Sequence, residues 1–487
     1  MSYVLLAPEI LLTVLALAVI FIGLLVSDRS KNMLGYISAA GLVASLVYVL
    51  GTKGEGSFFY NALVIDPLSQ FFKLIFIVVS LLAVIASIKY FENNRNQDEY
   101  YALILLATVG MMVVASANDL VSLFVGFELA SMSTYVLAGF EKKNPASLEA
   151  ALKYFIIGSL SSALMLFGMS LVYGVTGSTN IPAIIEFFKI NPASGLDVIA
   201  MVFLVAGFGF KMALVPFHMW APDTYEGSPS VVSALLAAGS KKMGFVAAFR
   251  ILVLALVALR ADLWVTFAIL AVITMTYGNI VAISQRSIKR MLAYSSIAQA
   301  GYIALAFVVT TQMSIAGGIL LALGHALMKG GAFIAVAVVG YMVLSDNKNA
   351  KNIDNLENFA GLGKRAPITA FALFVFFLAL AGIPPSAGFI GKFVLFYSIT
   401  VEAVRQASTW LLIVVVIAIL NSALSIYYYA RVIRYMYVLP PAGEKIKEPT
   451  PYVIAIVLAV IGTIGVGLYP QPFIDMAMNA AKVVLGV

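Results

Sequence analysis

Seven basic side chains and one carboxylate fall inside long apolar stretches of this sequence: Lys73, Lys211, Lys241, Lys242, Arg250, Lys329, Lys392 and Glu128. A charge in the middle of an apolar span costs at least ~2.5 kcal/mol on insertion scales, so each must be neutral, paired or wetted. Burial disfavours the charged form of such a group, and a partner of opposite sign restores it. Groups balanced in this way can take up and release protons. His325 joins the set four residues before Lys329, which puts both on one helix face. Proton transfer is the chemistry these residue types offer.

Composition excludes most other chemistry. The chain has no Cys, so thiolate-held zinc, iron–sulfur clusters, disulfides and a Cys nucleophile are absent. Its two His cannot build a many-ligand metal centre. With no nucleotide-phosphate loop either, no cofactor and no metal is expected in this chain.

At 62% hydrophobic and 11% charged residues, the sequence is far from the roughly 45–50% and about 25% of soluble domains. A soluble enzyme is excluded, and an all-α polytopic membrane protein in a lipid bilayer is expected. The net charge of +7 lies mostly in short loops between apolar runs, where it sets orientation rather than binding nucleic acid.

A span needs roughly 20 mostly apolar helical residues. Fourteen runs qualify: 5–26, 34–50, 68–88, 101–117, 120–140, 152–175, 198–219, 231–259, 264–283, 291–309, 315–343, 368–399, 410–436 and 452–468. Residues 1–9 carry no basic run, so the first reads as a retained helix, not a signal peptide. Loops after odd-numbered runs hold eighteen Lys and Arg against five on the other side, which places both termini on the outer face.

Two runs are interrupted. The seventh reads GFGFKMALVPFHMWAP, with Lys211 five residues before Pro216. The twelfth reads ALAGIPPSAGFIGKF, with Pro384 and Pro385 ahead of Lys392. Proline within a helix removes a backbone hydrogen bond, and in lipid the freed carbonyls need protein or water. Five runs separate the breaks, and a five-helix unit repeated in tandem must start from opposite faces. Residues 101–259 (runs four to eight) and 264–436 (nine to thirteen) therefore read as two inverted repeats. They follow runs one to three in 1–100 and precede run fourteen in 437–487. Interrupted spans at matching places in inverted halves point to an ion or substrate path.

Blander readings stand beside the chemical ones. Glu128 could be a packing carboxylate paired with one Lys, and His325 could simply hydrogen-bond across helices. Lys241 and Lys242 point roughly 100° apart on a helix, so only one easily faces an interior path. Lys73 and Arg250 lie nearer span ends and read as snorkelling side chains. His218 reads as ordering its loop with Asp223 and Glu226, and Ser295, Ser296 and Gln299 make run ten polar enough to hold water.

Several stretches carry a family resemblance: KYFIIGSLSSALMLFGMSLVYGVTGSTN, FKMALVPFHMWAPDTYEGSPSVVSALLAAGSK, IKRMLAYSSIAQAGY and GIPPSAGFIGKF. They resemble the antiporter-like subunits of respiratory complex I, in particular the subunit N group of NADH–quinone oxidoreductase and its ferredoxin- or deazaflavin-linked relatives. The resemblance covers about residues 100 to 400. It assigns the fifth-helix glutamate to Glu128, the seventh-helix lysine to Lys211, the eighth-helix lysine to Lys241 and the twelfth-helix basic residue to Lys392. Lys242 departs from the pattern.

The resemblance implies a proton-translocating membrane-arm subunit with no redox site of its own. Its implied partners are antiporter-like siblings, small membrane subunits and a soluble redox arm carrying flavin and iron–sulfur clusters. The implied location is a prokaryotic plasma membrane. Protons are expected to enter near Lys241, pass His325 and Lys329 and leave near Lys392, with Glu128 and Lys211 as the gate. The alternatives are a subunit of a multi-subunit cation/proton antiporter and a purely structural scaffold.

Overall fold

The described residues of the fourteen apolar runs lie mostly in helices of the computed structural model, which describes residues 3–52, 54–92, 94–192, 194–251, 260–346, 352–441, 443–445 and 447–486. Residues 252–259 of the eighth run, and Lys53, Lys348 and Lys351 of the orientation count, lie outside the described residues.

The chain begins with α1 (Ala7–Leu25) and α2 (Asn32–Gly51). A small hairpin of β1 (Gly56–Phe58) and β2 (Leu63–Ile65) leads into α3 (Pro67–Tyr90). Asp66 caps α3 by accepting from the Ser69 amide at 2.7 Å, and Pro67 suits a first turn that needs no amide donor. Next come α4 (Gln97–Ser116), α5 (Leu120–Ala138) and the long α6 (Pro145–Thr176). α4 and α5 touch backbone to backbone, because a Cβ on Gly110 would meet the Ala130 amide nitrogen at 2.5 Å. Small residues permit such an approach between membrane helices.

A short helix, α7 (Ile181–Ile190), follows in what reads from sequence as a polar loop. Beyond it lie α8 (Gly195–Met212), α9 (Trp220–Gly227), α10 (Ser230–Leu235) and α11 (Lys241–Ala248). A single π turn over Leu236–Ser240 joins α10 to α11. The second half of the chain contains α12 (Arg260–Ser284), α13 (Ile288–Ala304), α14 (Gln312–Asp346), α15 (Leu362–Arg365), α16 (Pro367–Ala381), α17 (Ala387–Arg405) and α18 (Thr409–Tyr437). It closes with α19 (Thr450–Leu468) and α20 (Gln471–Leu485).

Among the described residues thirteen helices are long and apolar enough to cross a membrane. The expected tenth span is instead the 17-residue α13, polar along much of its length and enclosed by protein. The expected twelfth is two helices, α16 and α17, flanking the proline break. α20 has no counterpart in the expectation. It follows the fourteenth run directly and packs on α3 and α14.

The core is built from a few helices whose hydropathy ranges from the highest to the lowest of the spans. The stretch Ser230–Ile251 is wholly enclosed by protein, and α3 and α14 nearly so. Helices α1, α2, α18 and α19 lie outside and turn Leu17, Phe21, Ile413, Val416 and Leu420 outward. In hydrocarbon an outward apolar surface costs nothing, while every backbone group must still be bonded. Polar side chains therefore gather inside.

Two of the buried cations belong to this scaffold. Lys73 on α3 pairs with Glu9 on α1 at 2.5 Å. Arg250 grips both carboxylate oxygens of Asp66 at 2.7 and 2.9 Å and donates to the Ala115 carbonyl at 2.6 and 2.9 Å. Neither snorkels. Both are almost fully buried and paired, which overturns the reading from their distance to the span ends.

Candidate functional site

The broken helices are completed by side chains. At the first break α8 stops at Met212, and the Phe210 carbonyl accepts from the Trp220 indole at 2.8 Å. The Val215 amide turns to Thr274 on α12 at 3.0 Å. At the second break α16 ends on Gly382, whose φ of +88° an L side chain would strain. The Leu380 and Ala381 carbonyls there accept from Lys392 Nζ at 2.9 and 3.3 Å. Ser422 on α18 donates to Ala381 at 2.9 Å and accepts from Lys392 at 2.8 Å. An ammonium suits the negative end of a helix. The two breaks therefore differ: Lys211 precedes its break and caps nothing, whereas Lys392 closes the helix end that its break leaves open.

Lys211 lies on the last turn of α8 and donates to Ser131 Oγ and Tyr154 Oη, each at 2.9 Å. The rings of Tyr154, Phe127 and Tyr135 stand 5.2 to 5.7 Å from its nitrogen, near enough to favour the cation. Glu128 accepts from Ser162 on α6 and forms no ion pair with Lys211. Glu128 is only half-buried, between the exposed Val125 and Met132, so it borders the lateral surface of α5.

From Lys211 the stacked rings of Tyr154 and Trp220, 4.5 Å apart, lead to Tyr225, 5.6 Å further on. Lys241 Nζ sits 5.6 Å from the Tyr225 ring and donates to Ser296 Oγ at 2.8 Å. Lys242 donates to the Ala237 carbonyl at 2.7 Å and meets His325 Nδ1 directly. Both side chains are enclosed by protein, and they turn to different partners. The π turn just before them fits a pattern in which such turns recur at functional sites.

His325 and Lys329 share a face of α14 yet bond in different directions. His325 meets Lys242, while Lys329 donates to Ser295 Oγ at 2.7 Å and the Leu292 carbonyl at 3.3 Å. Lys392 closes the row with its nitrogen 4.7 Å from the Tyr302 ring. The charges of Lys242, Lys329, Lys241 and Lys392 all act on the His325 ring, so these groups form one electrostatic cluster. The structure thus collects Lys241, Lys242, His325, Lys329 and Lys392 and leaves Glu128 at the margin.

A cavity of about 680 Å³ is lined by Glu141, Lys153, Asp223, Glu226, Lys289 and Arg290. Asp223 on its wall bonds Lys153 at 2.7 Å and Arg290 at 2.8 Å, and Glu226 bonds Arg290 at 2.6 Å. Burial pushes the Asp223 carboxyl up, but the two cations outweigh it and hold it below the ordinary carboxylate range. The clamp therefore stays ionised near neutrality and is lost only as pH falls through that lowered value. His218 takes no part in it and packs edge-on against Tyr277. Lys289 donates to the Ser228 carbonyl at 2.6 Å at the cavity floor. The hydroxyls of Thr224, Tyr225, Ser228 and Ser240 are buried and have no hydrogen-bond partner among the described residues.

Ser131, Tyr154, Ser296 and Ser422 go unremarked as lysine partners in the sequence. Ser131 was within reach of inspection, since it stands three residues after Glu128 on one helix face. Tyr154 and Ser422 come from other helices, and no spacing rule connects them to their lysines.

The extra lysine gives a test. Lys242→Met is expected to slow proton transfer as severely as Lys241→Met, because each ammonium contacts a different neighbour in the cluster. Proton uptake by membranes carrying each variant measures this, and a silent Lys242→Met would remove Lys242 from the path.

These features define a class: a multi-span helical membrane subunit with two broken helices and an interior row of lysines. The family model described as NADH:quinone oxidoreductase/Mrp antiporter, TM matches residues 117–422. F(420)H(2) dehydrogenase subunit N of Methanosarcina mazei is 56% identical, over 99% of this chain and 98% of that protein. NADH-quinone oxidoreductase subunit N of Trichlorobacter lovleyi is 41% identical, over 98% of this chain and 96% of that protein. Among solved structures, a chain of respiratory complex I from Thermus thermophilus matches with a TM-score of 0.80 and 31% identity, covering 97% of this chain and all of that one. A chain of the membrane-bound sulfane sulfur reductase, an archaeal respiratory membrane complex, matches with a TM-score of 0.87 and 27% identity, covering 99% and 98%. The chain belongs to the NADH:quinone oxidoreductase/Mrp antiporter family and, within it, to the subunit N group.

Proposed function

We propose that this chain is the proton-translocating subunit N of a complex I-like respiratory dehydrogenase, with electron transfer housed in partner subunits. The observation that carries the reading is the interior set of buried basic groups Lys211, Lys241, Lys242, His325, Lys329 and Lys392, most of them held by hydroxyls, carbonyls or rings rather than by acids. Protons enter from the charged cavity lined by Asp223, Glu226, Lys289 and Arg290, reach Lys241 and leave through the half that contains Lys392. Residues 101–259 and 264–436 act as the two inverted halves, with both termini on the outer side of a prokaryotic plasma membrane.

Glu128 and Lys211 form the gate. In the present arrangement they are apart, each held by a hydroxyl. Movement of Lys211 toward Glu128 would stabilise its ammonium, and return to Ser131 and Tyr154 would release that stabilisation. Because Glu128 borders the lateral surface, a charge on an adjoining membrane-arm subunit can bias this choice, which is a coupling free energy between sites.

The chain itself supplies no redox group. Flavin and iron–sulfur clusters belong to a soluble arm, and small membrane subunits connect the two. The identity to an F(420)H(2) dehydrogenase subunit favours a reduced deazaflavin as electron donor over NADH. Inverted membrane vesicles should therefore take up protons when a reduced deazaflavin is oxidised, and a protonophore should abolish the gradient. Sodium-dependent proton exchange with no electron donor would support the cation/proton antiporter reading instead.

A further inference from the structure

A tyrosine outside the lysine row stands between its last two members. Ser295 Oγ accepts from Lys329 at 2.7 Å and is hydrogen-bonded on its other side to Tyr429 Oη of α18. All three side chains are buried. Beyond Tyr429 lies Gln299, whose amide donates to the Leu380 carbonyl at 2.9 Å. Lys392 donates to that same carbonyl, also at 2.9 Å. Gln299 Oε1 is buried and has no protein partner among the described residues. Hydroxyls and one open acceptor thus fill the step between two lysines that do not touch.

We propose that Tyr429 is a proton-relay residue for the transfer from Lys329 to Lys392. This rests on the proton-translocating reading above and extends it to a group outside the lysine row. Lys329 gives a proton to Ser295 Oγ as Ser295 passes its own hydroxyl proton to Tyr429. The Tyr429 hydroxyl proton goes to a water held by Gln299 Oε1, and that water delivers a proton to the neutral amine of Lys392. One proton enters and one leaves. Lys329 ends neutral, Lys392 ends charged, and each hydroxyl ends with the one proton it began with. Rotation of the two hydroxyls then resets the chain. Two hydroxyls in fixed contact are suited to this work, since each is both donor and acceptor.

Its neighbour Tyr428 stands beside the relay. The two rings lie 4.4 Å apart, and the Tyr428 hydroxyl donates to Asn279 at 2.9 Å, into a network with Asn421 and Tyr302, while also facing Tyr429 and Ser295. The relay runs through Tyr429 because Ser295 bonds it directly.

The test compares Tyr429→Phe and Lys211→Ala in the whole purified complex reconstituted in vesicles, with proton uptake measured in H₂O and D₂O. Tyr429→Phe is expected to slow proton uptake about tenfold or more, as loss of a positioned proton-transfer group does, and to change the solvent isotope effect. Should Tyr429→Phe fail to assemble, Ser295→Ala breaks the same relay and is expected to give the same loss. Wild-type uptake with an unchanged isotope effect in an assembled Tyr429→Phe or Ser295→Ala complex overturns the relay. If Lys211→Ala also leaves uptake intact, the translocation reading fails with it, whereas a dead Lys211→Ala beside an active Tyr429→Phe refutes the relay alone.

Discussion

Lys211→Ala is expected to lower proton translocation by the assembled complex tenfold or more, a loss of about 1.4 kcal/mol or greater in transition-state stabilisation. Lys211 is placed to change partners, since it lies on the final turn of α8, where the helix stops, and is held only by hydroxyls. Its present partners are neutral hydroxyls rather than an acid. Alanine removes the titrating group from the interior set and leaves nothing to answer Glu128.

The substitution should not unfold the subunit. Tyr154 keeps Thr134 within 3.3 Å as an alternative partner, and its ring stays stacked on Trp220. Lys211→Met retains the aliphatic stem and separates loss of packing from loss of the amine. Subunit content of the purified complex and proton uptake per donor oxidised measure the two effects. A complex of normal composition and normal uptake would refute the gate assignment.

The largest stability effect is expected at Arg250. Its guanidinium binds Asp66 through two parallel hydrogen bonds, and both side chains are removed from solvent. Removing one partner of a buried pair leaves an uncompensated charge and costs about 3–5 kcal/mol, while replacing both by groups of similar shape is often nearly neutral. Arg250→Met should therefore deplete the subunit from the membrane complex. Adding Asp66→Asn removes the stranded charge and keeps an oxygen to cap α3, so the double variant should recover much of the lost assembly. The amount of subunit in the purified complex and its thermal midpoint provide the check. Equal loss in single and double variants would mean that the Ala115 carbonyl contacts, not the charge pair, hold this junction.

These two sites show where sequence reasoning succeeds and where it stops. Lys211 was recognisable because a lysine beside a mid-span proline is costly and rare. Arg250 and Lys73 were misjudged from their distance to the span ends, because depth along a helix says nothing of the partner across it. Glu9 and Asp66 are far from them in the chain and reach them only through packing of α1 and α3. The assignment of His218 to the charged loop failed for the same reason: Asp223 is closer in sequence, but Lys153 and Arg290 are closer in space. α20 does not register as a span because it is a 15-residue amphipathic helix, too short and too mixed with Gln471, Asp475, Asn479 and Lys482.

The sequence by itself determined that this is a many-helix membrane protein, where its two helix breaks fall and which few charges its interior must accommodate. Hydrocarbon leaves little freedom on those points: long apolar runs must be helical and buried charges must be few. Only the tertiary structure decided what each charge touches. It set Lys211 on hydroxyls instead of Glu128, gave both Lys241 and Lys242 interior partners and used Lys392 to close a broken helix. Burial energy is legible along a chain, whereas hydrogen-bond partners depend on angles and distances between helices that no single helix encodes.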